Sequence, residues 1–155
     1  DEDFFTPHLT QPIANLRMLH YPPSAHRIDR EDGGAGTHSD YGNLTILATD
    51  EVAGLEVLNR QGKWIQAPHV PGAFVCNIGD CLMRWSNDIY VSTPHRVRPP
   101  EYERYAIAFF LEVNAESMVN PRDIIPDQPP KYEPITCADY LASRLNATYD
   151  YRQHN

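Results

Sequence analysis

The stretch RYAIAFFLEV, Arg104 to Val113, decides the fold class. It is the longest segment that reads as a strand, and Pro99 and Pro100 close it off upstream. Side chains alternate along a strand, so Arg104, Ala106, Ala108 and Phe110 share one face, and Tyr105, Ile107, Phe109 and Leu111 the other. Both faces are largely apolar, so both are expected to be covered. One should line a barrel interior. The other calls for a second layer, from a tail helix or from an N-terminal part that lies outside this sequence.

Outward from there, HRVR (95–98), PPEYE (99–103) and RYAI (104–107) read as a hairpin with antiparallel arms. Fourteen prolines punctuate the 155 residues, and the apolar segments between them are short. Strands are expected at 15–21, 44–49, 54–59, 63–68, 73–78, 81–85 and within 89–98, joined by turns such as Arg60-Gln61-Gly62. The charged, Gly-containing stretch 24–36 reads as a loop. Past a Pro-rich tail, TCADYLASRLNATY (136–149) has Thr136 as N-cap, Asp139 three residues on, and Leu141 and Leu145 four apart, which predicts a helix. About eight short strands at regular spacing suggest a β-sandwich or jelly roll.

A length of 155 residues suits one domain. No apolar run reaches the length of a membrane span. The net charge of −8, without a Lys/Arg stripe, argues against nucleic acid and anionic membrane as partners. Cys76, Cys81 and Cys137 form neither a disulfide framework nor a zinc spacing, so they read as reduced thiols of a cytoplasmic protein. With no signal sequence, the sequons at Asn43 and Asn146 read as accidents. The chain opens in mid-flow without Met, and a missing N-terminal region is expected. Nothing in it sets an oligomeric state.

The chemistry starts at GTHSDYG, 36–42. On an extended segment His38 and Asp40 point the same way and reach one metal ion. Roughly 0.5 occurrences of His-x-Asp arise by chance in such a composition, and two ligands hold a metal poorly. His95 is the leading candidate for the third ligand. Two imidazoles and a carboxylate leave one face of an octahedral ion free, which suits non-haem Fe(II), and the same set serves catalytic zinc. Arg104 favours iron. On the hairpin reading its guanidinium lies on the order of 10 Å from the metal, a few strand rises away. A metal at one end of a pocket and a carboxylate-gripping Arg at the other fit a short dicarboxylate that chelates through a 2-oxo acid.

THSDYGNLTIL, GLEVLNRQGKWIQAP, PGAFVCNIGDCLMRWSNDIYVSTPHRV and ERYAIAFFL closely resemble the iron(II)- and 2-oxoglutarate-dependent dioxygenases, isopenicillin N synthase-like branch, over about Asn15 to Tyr149. The resemblance implies a mainly β double-stranded β-helix, a jelly roll with a C-terminal helix: core about 15–114, extension 115–155. It implies that His38, Asp40 and His95 bind Fe(II), and that Arg104, with the hydroxyl of Tyr21, holds the distal carboxylate of 2-oxoglutarate. It implies oxidation of a small-molecule substrate by O2, by hydroxylation, desaturation or ring closure; Asp40 leaves no ligand position for a halide. Two positions depart from the family. Its Arg-x-Ser is Arg104-Tyr105-Ala106 here, and its Asn two residues before the Tyr is Leu19. Losing a hydrogen bond to a charged group, roughly 1.5–3 kcal/mol, predicts about 10- to 100-fold weaker cosubstrate binding. The readings left beside it are an Fe(II) oxidase that does not use 2-oxoglutarate and a non-catalytic jelly-roll binding module.

Overall fold

The structure, a computed structural model, describes residues 2–24 and 34–153. A 3-10 turn (Thr6–Leu9) leads into β1 (Pro12–Tyr21). Then come β2 (Ala35–His38), β3 (Leu44–Thr49), β4 (Leu55–Leu58), β5 (Trp64–Gln66) and β6 (Val75–Ile78). A short helix α1 (Asp80–Trp85) precedes β7 (His95–Val97) and the long β8 (Arg104–Asn114). The chain closes with β9 (Met118–Val119), α2 (Pro121–Ile124), β10 (Ile135–Thr136) and α3 (Cys137–Gln153).

Two four-stranded antiparallel sheets, β1-β8-β3-β6 and β2-β7-β4-β5, carry the fold. Apart from the β4-β5 hairpin, successive strands from β1 to β8 pass from one sheet to the other, as in a jelly roll, the mainly β class that the strand spacing suggested. The inner faces meet in a core of Leu47, Leu55, Val97, Ala106 and Ala108, so each sheet shields the other. A second core joins Cys81 and Trp85 of α1 to Val113, Val119, Cys137 and Tyr140. Trp85 is fully buried there, with Phe4, Phe5 and His8 edge-on to its ring. Packing accounts for this Trp.

The predicted strands at 44–49, 54–59, 63–68 and 73–78 correspond to β3, β4, β5 and β6. The turn between β4 and β5 uses Gly62 at φ +73°, while the Asn59 carboxamide oxygen accepts the amides of Gln61 and Lys63. Thr136 caps α3 as expected: its Oγ1 accepts the Asp139 amide at 3.1 Å and donates to the Asp139 carboxylate at 2.7 Å.

Three expectations fail, and a fourth, the 24–36 loop, is contradicted only at its end. Residues 81–85 are helical, not a strand: Met83 bonds back to Gly79, and Cys81 and Trp85 face the second core one turn apart. A five-residue apolar run fits both periods. Within 89–98 only His95–Val97 pairs, because Asn87 (φ 54°) and Asp88 (φ 69°) turn the chain away from α1 and Pro94 interrupts the ladder. The 24–36 loop lies outside the described residues over 25–33, and Ala35 and Gly36 belong to β2. The 95–107 hairpin does not form: β7 pairs with β2 and β4, and β8 with β1 and β3. Residues 98–103, with two prolines, cross between sheets instead.

One face of β8 also departs from expectation. Ala106 and Ala108 are buried inward, but Tyr105 is 51% and Ile107 45% exposed, and Met18, opposite Ile107, is 84% exposed. The register continues this apolar outer face through Leu16, Phe109, Ile46 and Cys76. Helix α3 packs at the far end of β8 and leaves the face open.

Candidate metal centre

His38 ends β2 and His95 begins β7, and the register pairs the two directly. Their rings lie 4.3 Å apart between centroids. Asp40, two residues past His38, approaches His95, with Oδ1 3.7 Å from Nε2. One ligand atom from each of His38, Asp40 and His95 falls within 4.8 Å of the others, a spacing at which a single cation could be held. The structure thus brings together the three side chains singled out in the sequence. It does so by cross-strand pairing within one sheet.

Backbone contacts preset both imidazoles. His38 Nδ1 donates to the Gly36 carbonyl at 2.7 Å, and His95 Nδ1 donates to the Thr93 carbonyl at 3.0 Å. A carbonyl only accepts, so each Nδ1 carries the proton and each Nε2 keeps its lone pair for a metal. Asp40 and His95 are buried, and among the described residues no Lys or Arg pairs with Asp40. A buried carboxylate without a cation is costly, and a divalent ion in this place would remove that cost.

The loop that carries Asp40 is pinned from below. Asp80 N–H donates to the Asp40 carbonyl at 2.7 Å, and Asn77 Nδ2 donates to Asp40 Oδ2 at 3.4 Å. Gly42 meets the carboxylate of Glu112 so closely that any Cβ would collide, and Glu112 Oε2 accepts the Asn43 amide at 2.8 Å. Burial pushes the Glu112 carboxyl above its usual range. Sequence reading missed Asn77, although its position two residues after Val75 put a polar side chain on the inward face. Glu112 carried the same signal on β8.

Arg104 is not a surface residue paired with Glu101 or Glu103. It is 1% exposed, its Nε donates to the Val52 carbonyl at 3.3 Å, and its Nη1 is buried without a partner among the described residues. An orphaned guanidinium nitrogen inside a protein fits a carboxylate of an incoming molecule. Tyr21 lies directly opposite on β1, its ring centroid 5.1 Å from the guanidinium carbon. Ala106 shares the inward face next to Arg104 and offers no hydroxyl. The donor set therefore fits both groups that the resemblance implies: a 2-His-1-carboxylate cluster for Fe(II) and an Arg for 2-oxoglutarate.

Comparison with known proteins agrees. The family model for the 2OG-Fe(II) oxygenase superfamily matches residues 12–113. The 2-oxoglutarate-Fe(II) type oxidoreductase hxnY of Emericella nidulans is 39% identical over 154 residues, which are 96% of this chain and 44% of hxnY. The homoarginine-6-hydroxylase 2-ODD-233 of Oryza sativa is 41% identical over 142 residues, 86% of this chain and 43% of that protein. A full-length Neurospora crassa protein, crystallised in complex with alpha-KG and thymine, superposes with a TM-score of 0.87 at 36% identity, covering 96% of this chain and 48% of that one. This chain thus spans about half the length of these relatives. The matched family model, the paired sheets and the His38-Asp40-His95 cluster lead to one conclusion: the chain belongs to the 2OG-Fe(II) oxygenase superfamily, whose cofactors are Fe(II) and 2-oxoglutarate.

Proposed function

We propose that the chain is the jelly-roll part of an oxygenase that couples 2-oxoglutarate decarboxylation and O2 to oxidation of a small organic substrate. His38, Asp40 and His95 hold Fe(II), and Arg104 with Tyr21 grips the distal carboxylate of 2-oxoglutarate. The carrying observation is the convergence of three ligand atoms within 4.8 Å, with both imidazoles locked to present Nε2. Fe(II), when held there, would supply the redox chemistry by which O2 oxidises both 2-oxoglutarate, to succinate and CO2, and a substrate C–H bond. The protein's part is positional. The Gly36 and Thr93 carbonyls orient the imidazoles, Asn77 orients Asp40, and the buried Arg104 sets the cosubstrate's far end.

The decisive measurement is O2 uptake by Fe(II)-loaded protein with and without 2-oxoglutarate, scored by succinate release, on a panel that begins with homoarginine and thymine. Uptake that depends on 2-oxoglutarate is expected. Uptake without it would mean the oxidase reading, and none on any substrate the binding-module reading. His38→Ala, Asp40→Ala and His95→Ala are each expected to abolish iron-dependent turnover. Full activity in any of them overturns the ligand assignment.

Residues 1–155 form one domain, core 15–114 and extension 115–155, and a further N-terminal part of the protein covers the open face of the β1-β8-β3-β6 sheet. The exposure of Met18, Tyr105 and Ile107 supports this, as does the half-length match to the relatives. Among the described residues no helix is long and apolar enough to cross a membrane. The free thiols of Cys76, Cys81 and Cys137 favour the reducing cytoplasm, and the charge of −8 disfavours nucleic acid.

A further inference from the structure

The loop that carries Asp40 is tied to two helices from distant parts of the chain. Three consecutive amides at the start of α1 receive it: Gly79 N–H donates to Asn43 O at 3.1 Å, Asp80 N–H to Asp40 O at 2.7 Å, and Cys81 N–H to Tyr41 O at 3.1 Å and Gly42 O at 3.0 Å. A Cβ on Gly79 would collide with the Gly42 carbonyl, so this contact admits only glycine. The Asp80 carboxylate, 7% exposed, works on the same loop: its Oδ2 accepts the Ser39 hydroxyl at 3.0 Å and meets Arg144 Nη2 of α3 at 3.0 Å. The Arg144 guanidinium carbon also lies 4.8 Å from the centroid of the Tyr41 ring. Ser39 and Tyr41 flank Asp40. Arg144 therefore reaches both neighbours of the carboxylate ligand, one through Asp80 and one directly.

We propose that Arg144 is a positioning residue of the metal centre, through which α3 fixes the Ser39–Tyr41 loop and so the direction of the Asp40 carboxylate. A buried carboxylate that loses its cation rearranges, and Ser39, which shares the same oxygen, moves with it. The inference rests on the reading of His38, Asp40 and His95 as the iron site. The C-terminal helix is then a working part of the site.

The test uses Co(II) as a visible-absorbing substitute for iron, together with hydrogen exchange of the Asp80 amide in the metal-free protein. Arg144→Met is expected to weaken Co(II) binding by about 10-fold, the lower end of what partners of metal ligands contribute. It is also expected to alter the d–d absorption and to speed Asp80 amide exchange. Arg144→Lys, which keeps a cation, should recover part of each change. Arg144→Met combined with Asp80→Asn should cost less than the sum of the two single effects, because the Asp80 route is shared and only the Tyr41 contact is separate. Leu145→Ala, on the same helix but at an exposed position, should leave all three readouts unchanged. Wild-type affinity, spectrum and exchange in Arg144→Met overturn the proposal. If the wild-type chain binds no Co(II), the iron reading fails, and the proposal fails with it. Amide exchange in that case reports the clamp on its own. Should Arg144→Met unfold, Arg144→Lys carries the same comparison.

Discussion

Arg104 and Ala106 sit two residues apart on one inward face, and the contrast between them carries a prediction. Arg104 has a buried nitrogen with no partner among the described residues, whereas Ala106 lacks the hydroxyl that the resemblance would place beside it. Arg104→Met is expected to raise the 2-oxoglutarate concentration at half-maximal rate by at least about 10-fold, since hydrogen bonds between charged groups contribute about 1.5–3 kcal/mol. Fe(II) affinity should stay unchanged, and metal titration beside steady-state kinetics checks both. Ala106→Ser should move the same parameter the other way, by about 10- to 100-fold. At this scale the candidate cluster was readable, because donor chemistry is a property of residue type: an imidazole, a carboxylate and a second imidazole make a metal-ligand set wherever the fold brings them together, as it does here. Asn77, Asp80 and Arg144 were not. An Asn, Asp or Arg does many structural jobs, and only proximity to Asp40 sorts these out.

The elements divide between those set locally and those set by partners. Helix α3 was predictable because its cap is written in adjacent residues. Thr136→Ala removes both bonds to Asp139 and is expected to cost about 1 kcal/mol, read as a lower denaturation midpoint. The turn after α1 carries a pH prediction. Lys131 Nζ at 2.7 Å and the Tyr132 hydroxyl at 2.7 Å hold the Asp88 carboxyl below its ordinary range, Lys131 contributing most. A depressed folded-state value adds stability above the unfolded value near ~3.9, and that stability is lost as pH falls below it. Asp88→Asn, which tolerates the left-handed backbone, should therefore lower stability at pH 7. In urea titrations the gap to wild type should narrow as pH falls through the ordinary carboxylate value near ~3.9 and close only below the depressed folded-state value. Helix α1 was misread for its shortness, and the 95–107 hairpin because nearness in sequence does not fix which strands pair. Short apolar segments carry no periodicity long enough to name their state, so the neighbours that pair with them decide.

Over the whole molecule, the open sheet face is the largest departure from a self-sufficient fold. Single soluble proteins rarely expose a contiguous apolar patch beyond a few hundred Å². On the isolated chain, Met18→Lys should change folding stability by no more than about 0.5 kcal/mol, the usual limit for exposed sites. It should also lower binding of an apolar fluorescent dye. A substantial loss of stability would show that Met18 is packed after all. The sequence by itself determined the strand-rich class, the capped C-terminal helix and the three ligand types, because alternation, caps and donor chemistry are local properties. Only the tertiary structure decided that β7 and β8 lie in different sheets, that Arg104 is buried with one nitrogen lacking a partner among the described residues, and that α3 reaches the Asp40 loop. These depend on pairings between residues far apart in the chain. The free energy of such pairings comes from burial and backbone bonding shared by the whole sheet, which no single stretch of chain records.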